Sequence, residues 1–145
     1  MRRTVESYSR EETEELGRSL SGSVQPGDII ALQGELGTGK TVFVKGFAKG
    51  LGIGEIVSSP TFTILQEYYD GRLPLFHFDV YRIDDPDEMD ELGYEEYFFG
   101  DGVTVVEWPS RIAELLPENI KKVVLEKDLS KGADYRKITL ENWDE

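Results

Sequence analysis

Apolar positions recur along this chain with two periods, and the switches between them mark its elements. From Ser9 to about Leu20 the spacing is helical, with Leu16 and Leu20 turned inward. Ser9-Arg10-Glu11-Glu12 opens that helix with capping-box spacing, Ser9 as N-cap and Glu12 reaching back from the third helical position. Val24-Gln25-Pro26-Gly27 is a turn, and Asp28–Gln33 a short buried strand. Thr41 to Leu51 returns to helical spacing, with Phe43, Phe47 and Leu51 on one face, and Gly50, Gly52 and Gly54 break the pattern. Period-two stretches follow. Phe62–Tyr69 and Leu73–Tyr81 flank Asp70-Gly71, a favoured tight-turn pair, and predict an antiparallel hairpin. In its second strand Phe76, Phe78 and Val80 face one side, and Leu75, His77, Asp79 and Tyr81 the other.

Asp85-Pro86-Asp87-Glu88 starts a helix that Gly93 can end, and the acidic run from Asp84 to Glu91 reads as its solvated N-terminus rather than a metal site. Tyr94 to Phe99 is an aromatic segment, Val103–Glu107 a buried strand, and Trp108-Pro109-Ser110 the entry to a short helix stopped by Pro117. Ile120–Lys127 and Tyr135–Asn142 alternate as a closing strand pair. The order of elements predicts an α/β fold. With the phosphate-binding motif Gly34-Glu35-Leu36-Gly37-Thr38-Gly39-Lys40-Thr41 set between a strand and a helix, it is expected to be a three-layer sandwich of the P-loop NTPase kind, on a mixed sheet that contains antiparallel hairpins. No linker divides the chain, so residues 1–145 are read as one domain.

The chemistry concentrates where the first strand meets the second helix. Gly34-Glu35-Leu36-Gly37-Thr38-Gly39-Lys40-Thr41 is a full G-x-x-x-x-G-K-[ST] loop. A strand before it and a helix after it separate a working phosphate loop from a chance match. A glycine-rich turn that binds nothing would have no need of the Lys-Thr pair. Backbone amides from Glu35, Leu36, Gly37, Thr38 and Gly39 would cradle phosphate, helped by the helix dipole. Lys40 would reach the β- and γ-phosphates, and the Thr41 hydroxyl would ligate magnesium.

Such a loop works with a carboxylate at the end of a neighbouring buried strand. Two apolar runs end in one, at Asp79 and at Glu107. Asp79 could hold magnesium or its waters, while Glu107 completes the metal shell or orients the attacking water. Either acid alone would as readily cap a nearby N–H. Thr61, with Ser59 beside it, lies where a switch loop senses the γ-phosphate, and ordinary turn chemistry is the alternative. His77, the single histidine, reads as a hydrogen-bonded core residue rather than a base, and Trp108 as core rather than a wall of the site. No Asn-Lys-x-Asp segment is present to read guanine, so ATP is favoured over GTP. Glu11, Thr13 and Arg136 are candidates for the adenine side.

Composition narrows the partners. The net charge is −13, with 29 acidic against 16 basic residues, the basic ones scattered. A protein that grips nucleic acid unaided needs a basic face, so stable binding to RNA or DNA alone is not expected. Without cysteine there is neither disulfide nor thiolate metal site. No apolar run approaches about eighteen residues, and Met1–Glu6 has no apolar core of a secretion signal. No membrane segment and a cytoplasmic location are expected.

The phosphate loop, Ser59-Pro60-Thr61-Phe62, His77-Phe78-Asp79-Val80-Tyr81-Arg82 and Glu107-Trp108-Pro109, in this order and spacing, resemble the TsaE (YjeE) family. The resemblance spans Ser9 to about Leu116. It implies a small bacterial ATPase, using ATP and Mg2+, that serves formation of N6-threonylcarbamoyladenosine (t6A) at position 37 of tRNA. It further implies that TsaD and TsaB carry out the transfer and that ATP hydrolysis, slow alone, drives their turnover. By the match, Lys40 and Thr41 are the phosphate and magnesium residues, Asp79 the second-strand acid, Glu107 a magnesium-linked acid, and Ser59 and Thr61 part of a switch-like loop. Two other classes compete. A small-molecule P-loop kinase would bring arginines from a lid, but Asp84–Gly102 is acidic and only Arg82 and Arg111 lie near. An adaptor without turnover would need Lys40 but tolerate loss of Glu107.

Overall fold

The structure is a computed structural model that describes residues 2–35, 37–60 and 63–143. Its centre is a seven-stranded sheet in the order β1-β7-β6-β2-β5-β4-β3. The strands are β1 (Arg2–Ser7), β2 (Ile29–Gln33), β3 (Leu65–Tyr68), β4 (Leu75–Asp79), β5 (Val103–Glu107), β6 (Lys121–Lys127) and β7 (Arg136–Glu141). Strands β6, β2, β5 and β4 run parallel to one another, and β1, β7 and β3 pair antiparallel at the flanks. Parallel central strands are covered on both faces, and β4 and β5 are buried along their whole length.

Helices α1 (Arg10–Leu20) and α2 (Lys40–Gly50) cover one face. Their core joins Leu20, Phe43, Phe47 and Leu51 to Leu75, Val103, Val105 and Leu125. Short helices α3 (Glu88–Glu91) and α4 (Tyr94–Phe98), with the 3-10 segment Pro109–Leu115, cover the other. There Phe76, Phe78 and Val80 pack with Met89, Phe98 and Ile112. The expected three layers, mixed sheet and division of the β4 side chains are all present.

Helix α1 starts as its sequence demands. Ser9 Oγ accepts the Glu12 N–H at 3.1 Å, and the Glu12 carboxylate returns to the Tyr8 N–H at 2.8 Å. Helices α1 and α2 then touch through backbone. A Cβ on Gly46 would lie 1.9 Å from Glu14 O, and one on Gly17 2.3 Å from Phe43 O. A mid-helix glycine costs about 1 kcal/mol, and here it permits that approach.

Three expectations are corrected. Strand β3 begins at Leu65: Phe62, where it was expected to start, lies outside the described residues, and Thr63 and Ile64 close a turn onto Pro60 O, with Ile64 at φ 68°. Asp70-Gly71 is not a two-residue turn, since Tyr68 pairs with Leu75 and the connection docks on the end of α2. There Arg72 N–H donates to Leu51 O at 2.6 Å, and Gly71 lies where a Cβ would sit 2.6 Å from the same oxygen. The helix expected at Asp85 starts at Glu88, whose carboxylate accepts the Asp84 and Asp85 amides. Strand β1 was not foreseen. Its Arg2, Thr4 and Glu6 are exposed, so it carries little inward apolar signal.

The α1–α2 contact yields a stability test. Gly46→Val should lower the unfolding free energy by about 2–3 kcal/mol, through overpacking against backbone. Gly22→Ala, where a Cβ meets nothing within 4 Å, should stay within about 0.5 kcal/mol of wild type. Urea denaturation distinguishes them.

Candidate functional site

Strand β2 ends at Gln33, and the chain turns through Gly34 to Gly39 before α2 begins at Lys40. Gly37 and Gly39 hold φ of 78° and 94°, the left-handed region where only glycine is unstrained. Gly34 is needed for space, because a Cβ there would meet Thr38 Oγ1 at 2.5 Å and Leu125 O at 3.0 Å. Inside the loop Glu35 O accepts the Thr38 N–H at 3.2 Å and the Thr38 hydroxyl at 2.8 Å. Leu36 lies outside the described residues, as does Thr61.

The Lys40 ammonium turns back into this loop. It donates to Gly34 O at 2.6 Å, lies 3.7 Å from Glu107 Oε1, and sits 3.9 Å over the Trp108 ring. Burial pushes it below the ordinary lysine value of 10.5, against the opposing pull of the Glu107 and Asp79 charges. Thr41 follows, half-buried in the first turn of α2.

Both strand-end acids arrive at the same level. Asp79 and Glu107 are register partners on adjacent parallel strands, each 4% exposed. His77 is fully buried two residues before Asp79, on the same side of β4, and its Nε2 lies 2.5 Å from Glu107 Oε2. The geometry fits an Nε2–H donating to the carboxylate, because His77 Nδ1 has no partner among the described residues and a bare lone pair is less costly to bury there than an N–H. Glu107 is thereby held by histidine on one oxygen and faces lysine with the other. Asp79 Oδ1 accepts the Tyr81 N–H at 3.0 Å.

A cavity of about 500 Å³ opens beside the loop, bordered by Gly34, Glu35, Thr38, Trp108, Leu125 and Lys127. It lies at the carboxyl ends of the parallel strands, where ligands of open α/β sheets bind. Trp108 is only partly core: half-buried at φ 61°, it packs against the cluster under α3 and α4, with Tyr81 4.9 Å away and Arg111 over Tyr81. Glycine-like φ at a tryptophan is a local strain that the sequence does not announce.

The adenine candidates divide. Glu11 is exposed in the first turn of α1, and Thr13 is buried with its hydroxyl 2.7 Å from Ser7 Oγ. Neither borders the cavity. Arg136 does reach the loop, but its bonds go to backbone carbonyls. Ser59 is exposed, and it has an interaction partner. Lys127 is a site residue that sequence reasoning missed. It ends β6 at the same edge of the sheet as Asp79 and Glu107, its ammonium 3.2 Å from the Cβ position of Gly37.

The donor set suits a nucleotide phosphate chain with magnesium. Glycine-only turns frame the loop, and an ammonium, a hydroxyl residue and two carboxylates converge beside it. Among the described residues no three His, Asp or Glu side chains could hold a metal ion by themselves. A magnesium ion here would need oxygens from the nucleotide in addition to Thr41 and the acids.

Comparison with known proteins covers most of the chain. Residues 7–138 match the family described as threonylcarbamoyl adenosine biosynthesis protein TsaE. A tRNA threonylcarbamoyladenosine biosynthesis protein TsaE of Bacillus subtilis is 50% identical over 129 residues, 89% of this chain and 78% of that protein. One of Treponema pallidum is 46% identical over 112 residues, 77% of this chain and 82% of that protein. The crystal structure of Bacillus subtilis YdiB superposes with a TM-score of 0.84 at 42% identity, over 99% of this chain and 87% of that one. With the phosphate loop, the paired strand-end acids and this match in hand, the chain belongs to the TsaE family.

Proposed function

We propose that this protein binds and slowly hydrolyses magnesium–ATP, and that hydrolysis serves t6A formation in tRNA through the partner proteins TsaD and TsaB in the cytoplasm. The observation that carries the reading is the convergence of Lys40, Asp79, Glu107 and His77 at the mouth of a phosphate loop. A role in t6A biosynthesis rests on family membership. No helix of the described residues is long and apolar enough to cross a membrane.

Each residue has a task in this scheme. Amides of the loop, Gly39 among them, surround the phosphates. Lys40 exchanges its bond to Gly34 O for phosphate oxygen, which moves positive charge onto the group where negative charge develops. Thr41, Asp79 and Glu107 would hold magnesium, which supplies neutralisation of the β- and γ-phosphate oxygens. Once Lys40 leaves Glu107 Oε1 for phosphate, that oxygen is available either to magnesium or to orient a water. His77 keeps the other oxygen still. Trp108 lies over Lys40 and walls the pocket against bulk water. Glu35, Leu36, Gly37, Thr38, Thr61, Glu11, Thr13 and Arg136 belong to the proposed nucleotide-binding set, the last three on its adenine side or behind the loop. An adaptor without turnover has no use for a buried His77–Glu107 pair aligned with the loop.

The test is turnover of radiolabelled ATP with and without TsaD and TsaB. Slow magnesium-dependent release of phosphate, stimulated by the partners, is the expected result. Transfer of label to a metabolite would support a kinase instead. Lys40→Ala should abolish measurable ATP binding. In the wild type, affinity should fall as pH rises toward a lysine value below 10.5, because the ammonium is the binding form and burial favours its loss. Glu107→Gln should lower kcat by about a hundredfold or more while ATP affinity changes little. Equal turnover in that variant and the wild type would contradict the assignment. His77→Ala should also act on kcat rather than affinity, and His77→Gln should recover part of the loss by restoring a donor. An additive loss in the His77→Ala/Glu107→Ala double variant would show the pair is uncoupled.

A further inference from the structure

Arg136 stands on β7, 98 residues after the loop it touches. Its guanidinium makes bonds to four backbone carbonyls. Nε donates to Thr38 O at 2.7 Å, Nη2 to Gly37 O at 3.2 Å, and Nη1 to Ala133 O at 3.0 Å and Tyr135 O at 2.6 Å. Two of these acceptors lie on its own approach to β7 and two on the phosphate loop, so the guanidinium ties one to the other. Nε also lies 3.9 Å from the Cβ position of Gly39, the residue that precedes α2.

A peptide unit is planar, and the structure has no cis bond among the described residues, so each C=O and the N–H of the following residue point in opposite directions. Holding Thr38 O therefore aims the Gly39 N–H away from Arg136. Holding Gly37 O fixes the peptide whose Thr38 N–H closes the loop onto Glu35 O. Left-handed glycines on both sides of Thr38 would otherwise rotate these peptides freely. A forked, planar donor with several N–H groups can bridge two successive carbonyls, which a lysine cannot do.

We infer that Arg136 is a positioning residue for the phosphate loop: by holding the Gly37 and Thr38 carbonyls it fixes the turn of the loop and aims the Gly39 N–H for a nucleoside polyphosphate. The inference rests on the ATP-binding reading above. It places Arg136 behind the loop rather than against the adenine, and it makes the β6–β7 flank part of the nucleotide site. Preorganised donors add affinity because less ordering remains to be done on binding.

The test is equilibrium binding of ATP and ADP to the full chain, with Arg136→Ala, Arg136→Lys and Lys127→Ala compared with wild type. Lys127 is the register partner of Arg136 on β6, so its removal subtracts a nearby positive charge and leaves the carbonyl bonds in place. Arg136→Ala should weaken both nucleotides by about tenfold or more, the scale of losing hydrogen bonds from a charged donor. Arg136→Lys should remain weakened despite its charge, and Lys127→Ala should lose less. Guanidinium ion at sub-denaturing concentration should restore affinity to Arg136→Ala and leave Lys127→Ala unimproved, a readout that general destabilisation would not give. Because the loop is preset rather than the chemistry altered, KM for ATP should rise more than kcat falls. Wild-type affinity in Arg136→Ala, or full recovery in Arg136→Lys, overturns the clamp and leaves ATP binding standing. A wild type that binds no nucleotide overturns the ATP reading and the clamp with it.

Discussion

The arrangement depends on two parallel strands ending at one level. Asp79 and Glu107 are register partners at the carboxyl ends of β4 and β5, and the head of α2 delivers Lys40 to Glu107. A register slip of one residue would turn either acid to the opposite face of the sheet. That register is fixed from both sides, because β4 and β5 alternate between two separate cores. Leu75, Val103 and Val105 belong to the core under α1 and α2, and Phe76, Phe78 and Val106 to the one under α3 and α4. Packing therefore sets the chemistry: the residues left on the α2 face at the strand ends are His77, Asp79 and Glu107.

Burial gives these groups their influence on one another. A lysine, a histidine and two carboxylates lie almost out of solvent in a chain of net charge −13. Each is stabilised by a named neighbour rather than by water. Lys40 has a carbonyl, a carboxylate and an indole face. Glu107 has Lys40 and His77. Such a network costs more when a member is lost than its separate contacts suggest.

Much of this was legible in the sequence. The phosphate loop, the helix capped by Ser9, the two apolar runs ending in acids and the closing pair β6–β7 are local patterns, and local patterns survive into the fold. The fold class followed from their order. What was illegible depended on distant partners or on backbone angles. The strand β1 is recognisable only through its pairing with β7. His77 was expected in a hydrogen-bonded core, and its carboxylate partner was visible only once β4 and β5 were set side by side. Trp108 was expected in the core, yet its left-handed backbone turns the ring over Lys40. Arg136 was picked out as an adenine contact, but the sequence gives no sign that its donors meet loop carbonyls.

The central claim is that affinity resides in the phosphates, gathered by the loop amides and Lys40. Calorimetric titration of the purified protein with ATP, ADP and adenosine, each with and without magnesium, tests it most directly. Saturable one-to-one binding of the two phosphorylated nucleotides, strengthened by magnesium and nearly absent for adenosine, is the predicted result. Adenosine binding as tightly as ATP, or ATP releasing no heat beyond dilution at millimolar concentration and leaving the protein's melting temperature unmoved, would contradict it.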